Sequence, residues 1–204
     1  MYNDHIDPKG FRANVGIILS NAQDRLLLGG RLGNKGWQFP QGGMLKGETP
    51  EQAMFRELEE EVGLTGDDVA LLGATERWVR YRLPNRFVRR DSKPLCIGQK
   101  QRWFLLRLEV SDNRVRLDRS DCPEFDRWRW VEFWQPVNEV IYFKRRVYAQ
   151  VLHELGSCLF PQGLPPRPRS WSKRWRMTFD KDIKRAAELR QNSKRLDDSQ
   201  TNNC

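Results

Sequence analysis

Blocks of apolar residues alternate with polar turns along the first 160 positions, and each block predicts one structural element. Apolar runs typical of strands occur at residues 15–19, 25–28, 69–78, 101–110 and 128–131. A polar turn over 21–24 joins the first two runs and predicts a hairpin, and residues 37–43 predict a short extended piece. The spacing of Val147, Val151 and Leu155 predicts a helix over 144–155. Strands and helices mixed over one compact length predict an α/β or α+β fold.

One further helix has both its start and its end marked in the sequence. Thr49 is a suitable N-cap, Pro50 suits the first helical position, and Gln52 completes a capping box. Gly63 follows Val62 and suits the left-handed conformation that often ends a helix. We therefore predict a helix that begins at Pro50 and ends at Val62.

This helix carries three carboxylates on one face. Because an α-helix turns by about 100° per residue, Glu57, Glu60 and Glu61 lie within one narrow arc, whereas Glu59 points away. Apolar residues at every fourth position from Met54 to Val62 form the adjacent stripe, which predicts that this side of the helix is buried. Like charges at this spacing repel, so the cluster indicates a compensating hard cation such as Mg²⁺; a solvated acidic face is the alternative.

The chain is basic, and its basic excess is concentrated in the last forty residues. It has 36 Lys and Arg against 27 Asp and Glu, a net charge of +9. Such a charge favours an anionic partner: nucleic acid, nucleotides or a membrane surface. A Pro-rich junction at 161–169 marks a domain boundary near residue 160, and 161–204 is expected to be a basic, largely disordered tail in which 179–196 could form a helix.

Several classes of protein are disfavoured by what the sequence lacks. It has no run of about 18 apolar residues and no signal-peptide pattern, so we expect neither a membrane span nor export. The four cysteines lack metal-site spacing, and two histidines are too few for most zinc sites. We therefore expect a cytoplasmic location.

The acidic helix lies within a longer motif. The pattern consists of Gly42, Glu48, Arg56-Glu57-Leu58, Glu60-Glu61 and Gly63-Leu64. This series resembles the Nudix box, GX5EX7REUXEEXGU with U aliphatic, at every specified position. The resemblance implies a Nudix hydrolase with an α/β/α sandwich around a mixed sheet, which hydrolyses nucleoside diphosphates linked to another group and uses Mg²⁺ or Mn²⁺.

The same resemblance implies roles for individual residues. Glu57, Glu60 and Glu61 match the metal ligands, and Arg56 matches the arginine that orients them. Either Glu57 or Glu61 is expected to act on the attacking water, and the sequence does not choose between them. Gly42 and Gly43 are expected to let the loop before the helix fold tightly, and Glu48 to close it.

Segments outside the box narrow the resemblance. They read WQFPQGG, KPLCIGQKQRWF, PEFDRWRWV and FKRRVY, and they resemble the bacterial RNA pyrophosphohydrolase branch of the Nudix family. By that resemblance Glu124 completes the metal site, Arg31 and Lys144 hold the 5′ phosphates, and Phe143 stacks a base; core packing is the alternative for Phe143.

Two basic segments favour nucleic-acid contacts. Lys35 lies with Arg31 beside WQFPQGG, and residues 77–93, which include Tyr81, alternate cations with aromatic residues. We count Lys35 and Tyr81 among the candidate substrate-binding residues.

These features predict removal of pyrophosphate from 5′-triphosphorylated RNA, which leaves a 5′-monophosphate and promotes RNA decay. Hydrolysis of dinucleoside polyphosphates such as diadenosine tetraphosphate is the alternative reaction. A non-catalytic RNA-binding module is the alternative of another class, and the intact box argues against it, because a carboxylate cluster repels RNA unless metal is bound.

Overall fold

The computed structural model describes residues 6–34, 36–88, 90, 93–120 and 122–201, with Asn34 and residues 189–201 described by their backbone alone. The chain divides into two compact units, Met1–Pro165 and Pro166–Cys204. The sequence boundary near residue 160 stays a prediction.

A mixed β-sheet forms the centre of the first unit. Within the described residues its strands are β1 Phe11–Ser20, β2 Leu26–Arg31, β3 Trp37–Gln38, β4 Gln41–Gly43, β5 Val69–Ala74, β6 Val79–Arg82, β7 Gly98–Leu108 and β8 Phe125–Val131. β1 and β7 pair in parallel, and every other described pairing is antiparallel. The central path runs β3-β2-β1-β7-β5. The predicted α/β sandwich around a mixed sheet is confirmed.

Helices cover both faces of this sheet. They are α1 Pro50–Val62, α2 Gln135–Glu139 and α3 Arg145–Leu155. Alternate residues of β1 from Ala13 to Leu19 share an apolar core with Met54, Leu58 and Val62 of α1. On the opposite face Trp103 of β7 packs edge-on against Tyr148 of α3, with ring centroids 5.4 Å apart. The period-two alternation of β1 therefore separates two cores.

The predicted hairpin and the predicted helix boundaries are confirmed. β1 pairs with β2 across a turn in which the Asn21 N–H donates to the Arg25 carbonyl. Thr49 caps α1, its hydroxyl accepts from the Gln52 N–H, and Gly63 ends the helix with φ 69°.

The prediction of one strand over residues 69–78 is wrong, because the chain leaves the sheet at Thr75. Thr75 Oγ1 accepts the Trp103 N–H at 3.1 Å, while the Thr75 N–H donates to the Trp103 carbonyl. A side-chain oxygen thus replaces a backbone acceptor, and β5 and β6 are separate strands.

The second unit contains α4, Lys173–Thr201. This helix includes residues 179–196, over which the sequence indicated a possible helix. Its Lys181, Lys184 and Arg185 side chains are exposed. The expected disorder of this segment stays a prediction.

Neither membrane-spanning nor disulfide-bonded elements contribute to the described architecture. No helix in the described ranges combines the length and apolar composition needed to cross a membrane. Cys96, Cys122 and Cys158 are free thiols.

Candidate active site

A cavity of about 550 Å³ opens in the first unit where the end of β4 meets α1 and the start of α3. Its walls include the carboxylates Glu57, Glu60, Glu61 and Glu124. They also include Arg31, Arg56, Lys144, Tyr81 and Phe143 from the remaining predictions, together with Gly42 and Gly43. Lys35 is a predicted substrate-binding residue that lies outside the described residues.

The three carboxylates of α1 differ in exposure. Glu57 and Glu61 are each only 7% exposed, because they border the apolar stripe that packs on the sheet. The Glu60 side chain is 52% exposed at the cavity mouth. Glu61 Oε2 accepts the backbone N–H of Gln41 at 2.7 Å, which ties α1 to β4.

Arg56 ties the Nudix-box loop to these carboxylates. Its guanidinium donates to Glu48 Oε1 at 2.7 Å, to Glu57 Oε1 at 2.7 Å and to the Gly43 carbonyl at 2.8 Å, and it also contacts Glu60. Glu48 Oε2 in turn accepts the Leu45 N–H at 2.8 Å. Arg56 holds the pKa of Glu48 below its usual value, chiefly through the direct hydrogen bond. The loop and the helix are therefore cross-linked by one cation.

Gly42 and Gly43 act through the absence of a side chain and not through a left-handed turn. Neither has positive φ, whereas Gly47 has φ 88° and supplies the left-handed turn of this loop. A Cβ on Gly42 would lie 1.8 Å from the Glu57 carboxyl carbon, and one on Gly43 would lie 2.2 Å from the Arg12 guanidinium. Both glycines are needed because charged groups approach the backbone of β4 closely.

Glu124 approaches the cavity from the chain just before β8. It is exposed, and its Oε2 accepts from Gln38 Nε2 at 3.1 Å. The Leu32 N–H donates to its backbone carbonyl. Glu124 is more than 60 residues from α1 in the sequence. The pairing of β8 with β2 brings it to the same cavity.

Burial and mutual repulsion raise the pKa of the two inner carboxylates. Burial is the largest cause of the raised pKa of Glu61, followed by the negative charges of Glu124 and Glu57. Burial also raises the pKa of Glu57, against the opposing hydrogen bond from Arg56. These groups lack enough positive charge nearby to be ionised at low cost.

The donor chemistry fits a hard divalent cation, which prefers carboxylate oxygen and would stabilise the ionised forms. In the described part of the chain, no three His, Cys, Asp or Glu side chains converge closely enough to hold an ion as they stand. Arg56 instead draws Glu57 and Glu60 toward its guanidinium. The residues that would hold the cation are Glu57, Glu60, Glu61 and Glu124.

A buried lysine faces this acidic wall. Lys144 is 8% exposed, and its Nζ donates to Gln41 Oε1 at 3.1 Å. Burial and the nearby charge of Arg31 lower the pKa of Lys144 to about 8, against the opposing charges of Glu124 and Glu61. The wall of the cavity thus combines carboxylates with cations.

Aromatic rings form a further wall. Phe143 is half-buried, and its ring centroid lies 5.1 Å from Phe87 and 5.9 Å from Tyr81. Burial raises the pKa of Tyr81 far above its usual value, so its hydroxyl is neutral. Phe143 therefore packs against protein rings and also borders the cavity, and base stacking by this ring stays a prediction.

Sequence reasoning missed several polar residues of the lining, among them Arg12, Asn14, Gln38, Gln41 and Gln99. Gln41 lies within WQFPQGG, but no feature of the neighbouring sequence indicates its contacts with Glu61 and Lys144. Asn14 lies opposite Gly43 on paired strands, a register that the sequence does not reveal. Alternating polar residues within the apolar run of β1 were the available signal.

Comparison with known proteins gives a consistent family. The NUDIX domain family model matches residues 10–154. The RNA pyrophosphohydrolase of Alkalilimnicola ehrlichii is 60% identical over 163 residues, which cover 80% of this chain and 90% of that protein. The RNA pyrophosphohydrolase of Legionella pneumophila is 59% identical over 150 residues, covering 74% and 86%.

Solved structures share the fold at low sequence identity. The Escherichia coli dihydroneopterin triphosphate pyrophosphohydrolase superposes with a TM-score of 0.56 at 20% identity, covering 70% of this chain and 95% of that one. A Caenorhabditis elegans Ap4A hydrolase superposes with a TM-score of 0.51 at 17% identity, covering 74% and 98%. With the Nudix box spanning Gly42 to Leu64, the family match over residues 10–154 and the relatives at 59–60% identity establish that the chain belongs to the Nudix family.

Proposed function

We propose that this protein removes pyrophosphate from the 5′ end of triphosphorylated RNA and leaves a 5′-monophosphate, an end that promotes RNA decay. Water is consumed, and the P–O bond between the α- and β-phosphates breaks. The observation that carries the proposal is the cavity itself, which joins the α1 carboxylates to Lys144 and Phe143. The relatives named RNA pyrophosphohydrolase, 59–60% identical over most of their length, support the choice of RNA.

The proposed roles of the carboxylates follow from their environment. Glu57 and Glu61 are buried carboxylates that line the cavity, and an ionised carboxylate at this place can accept a proton from water. Arg56 restricts the side-chain positions of Glu57 and Glu60 through its hydrogen bonds, so its proposed role is orientation. Either Glu57 or Glu61 would act on the attacking water.

The cations and rings would bind the substrate. Lys144 and Arg31 line the same cavity as the α1 carboxylates and would neutralise charge on the departing phosphates. Phe143 and Tyr81 would contact a base of the RNA, because their rings border the same cavity.

Nudix hydrolases generally use divalent metal ions, and we propose Mg²⁺ or Mn²⁺ here. Glu57, Glu60, Glu61 and Glu124 would hold the metal, because a hard cation prefers oxygen ligands and would offset their repulsion. When bound, it would supply a more acidic water and neutralise phosphate charge.

The basic tail would bind RNA beyond the first nucleotides. On α4, Lys173, Arg174, Lys181, Lys184 and Arg185 are all exposed. Exposed cations of this kind bind the sugar-phosphate backbone without regard to base sequence. We also propose a cytoplasmic location, the compartment in which bacterial transcripts are made.

Product analysis tests this function. RNA carrying a labelled 5′-triphosphate is incubated with the full chain and Mg²⁺, and the products are separated. The proposal requires equal amounts of pyrophosphate and 5′-monophosphorylated RNA, and loss of both products with excess chelator. Unchanged RNA in the presence of Mg²⁺ and Mn²⁺ would overturn it.

A further inference from the structure

A chain of three polar side chains runs from the sheet to the cavity. Gln101 lies on β7 with no exposed surface (0%) and does not contribute to the described lining. Its Nε2 donates to Gln41 Oε1 at 3.4 Å, and Lys144 Nζ donates to the same oxygen at 3.1 Å. One amide oxygen therefore accepts from both a buried amide and a buried ammonium.

These two donors set the orientation of the Gln41 amide. If that amide turned over, its NH₂ group would face the ammonium of Lys144 and the NH₂ group of Gln101. Donors would then face donors in a region with little access to water, which is unfavourable. Gln101 therefore helps to keep the Gln41 oxygen directed at Lys144.

The orientation of Gln101 itself has a cost. Its Oε1 is buried and has no hydrogen-bond partner among the described residues. An unpaired buried acceptor is unfavourable, so the contact to Gln41 must favour this orientation. Turning the Gln101 amide would direct its oxygen at the oxygen of Gln41 and break the chain.

Gln41 links this chain to the catalytic helix. While its side-chain oxygen accepts from Lys144, its backbone N–H donates to Glu61 at 2.7 Å. The position of the Lys144 ammonium relative to Glu61 therefore depends on Gln41. Gln101 donates a hydrogen bond to Gln41 from within the sheet.

We propose that Gln101 is a positioning residue for Lys144: acting through Gln41, it holds the Lys144 ammonium at the cavity wall where the 5′ phosphates bind. This role rests on the proposed function. It concerns a residue that lies outside the described lining of the cavity and acts through another side chain.

A double-mutant cycle tests the role. Gln101→Met keeps the side-chain length and removes both amide groups. In the wild-type background it should lower kcat/KM for triphosphorylated RNA by about tenfold. In a Lys144→Met background the same change should alter kcat/KM by less than about twofold, because the residue through which it acts is gone. Equal losses in both backgrounds would overturn the proposal.

A matched control separates positioning from general damage. Thr75 is also fully buried (0%) and also hydrogen-bonds a residue of β7. Thr75→Val should lower the melting temperature and leave kcat/KM unchanged. If Gln101→Met does not fold, Gln101→Leu replaces it in the same cycle, with the same expected and contradicting results.

Failure of the proposed function is distinguishable from failure of this inference. If the wild-type chain released no pyrophosphate from RNA, the function would fail, and affinity for inorganic pyrophosphate would replace kcat/KM as the readout. Gln101→Met should then weaken that affinity in the wild-type background alone. Equal weakening in both backgrounds, or none in either, would contradict the positioning role.

Discussion

Glu57 and Glu61 combine burial with negative charge, and this combination explains the chemistry proposed for them. Each is 7% exposed and lies close to other carboxylates, so the ionised form is disfavoured without a cation. A buried carboxylate without a compensating cation destabilises the folded state. Its retention beside an open cavity is typical of a functional site.

Replacing either residue by its amide tests this interpretation. Glu57→Gln or Glu61→Gln should lower kcat by at least about a hundredfold, because an amide binds Mg²⁺ poorly and cannot accept the proton of water. Circular dichroism should show that both variants fold, and steady-state kinetics gives kcat.

Glu59→Gln is the matched control for these variants. Glu59 lies on the same helix, is exposed and points away from the cavity. Its replacement should leave kcat within about twofold of the wild-type value. Near-normal kcat in both the Glu57 and the Glu61 variant would remove the carboxylates from the mechanism.

The absence of a side chain at Gly42 is as important as the charge at Glu57. A Cβ at this position would lie within 2.0 Å of the Glu57 carboxylate atoms, so Gly42→Ala must displace the carboxylate or the strand. We predict a loss of kcat of about tenfold or more, since a small displacement of a catalytic group is expensive. A crystal structure of the variant should show Glu57 moved, and an active variant with Glu57 in place would contradict this reading.

At the scale of whole elements, prediction succeeded where the signals were local. The ends of α1 follow from Thr49, Pro50 and Gly63, which act within one turn of the helix. The break between β5 and β6 depends on a hydrogen bond from Trp103 to Thr75, 28 residues apart in sequence. Local propensity contains no information about such a contact.

The same distinction applies to the site. The motif identified α1 and its carboxylates, because these residues lie close together in the sequence at a fixed spacing. Gln41 and Gln101 escaped notice because they lie on β4 and β7, which each pair with β1, and neither differs locally from an ordinary polar residue. Only the register of the sheet brings them to Lys144.

The connection from α1 to β5 offers a pH-dependent test. Asp68 is buried at the end of a 3₁₀ turn, and the N–H of Thr65, with its hydroxyl and Arg114, keeps the pKa of Asp68 below its usual 3.8. Asp68→Asn should lower stability at neutral pH by about 1 kcal/mol. Because the folded pKa is lowered, this contribution is present above pH 3.8 and is lost as the pH falls through the lowered pKa.

Thermal melts of wild type and Asp68→Asn across this range measure the effect. The difference between them should be constant above about pH 5 and should shrink below the unfolded pKa. Asp67→Asn, at the exposed neighbouring residue, is the matched control for the loss of one carboxylate. A difference that grows on acidification would contradict the assignment.

At the scale of the whole molecule, the carboxylates of the cavity and most of the net positive charge belong to different parts of the chain. The carboxylates lie in the first unit, whereas 11 of the 36 Lys and Arg residues follow residue 165, against five acids. The first unit continues to Pro165, whose carbonyl accepts the Trp134 indole N–H at 2.7 Å. Truncation is therefore best made after Pro165.

A chain that ends at Pro165 should fold and should hydrolyse a small nucleotide substrate at close to the full-length rate. Its affinity for long RNA should be lower and should depend less steeply on salt, because fewer counterions are released. Binding titrations at several salt concentrations and fixed free Mg²⁺ give both slopes. Equal slopes for the two chains would remove the tail from RNA binding.

The central claim is that RNA with a 5′-triphosphate is the substrate of this carboxylate-lined cavity. The most direct measurement compares kcat/KM of the full chain for triphosphorylated RNA and for diadenosine tetraphosphate at the same Mg²⁺ concentration. We predict a higher value for RNA, with pyrophosphate as the released product, and loss of that activity in Glu61→Gln. A higher value for diadenosine tetraphosphate, or RNA hydrolysis that survives Glu61→Gln, would contradict it.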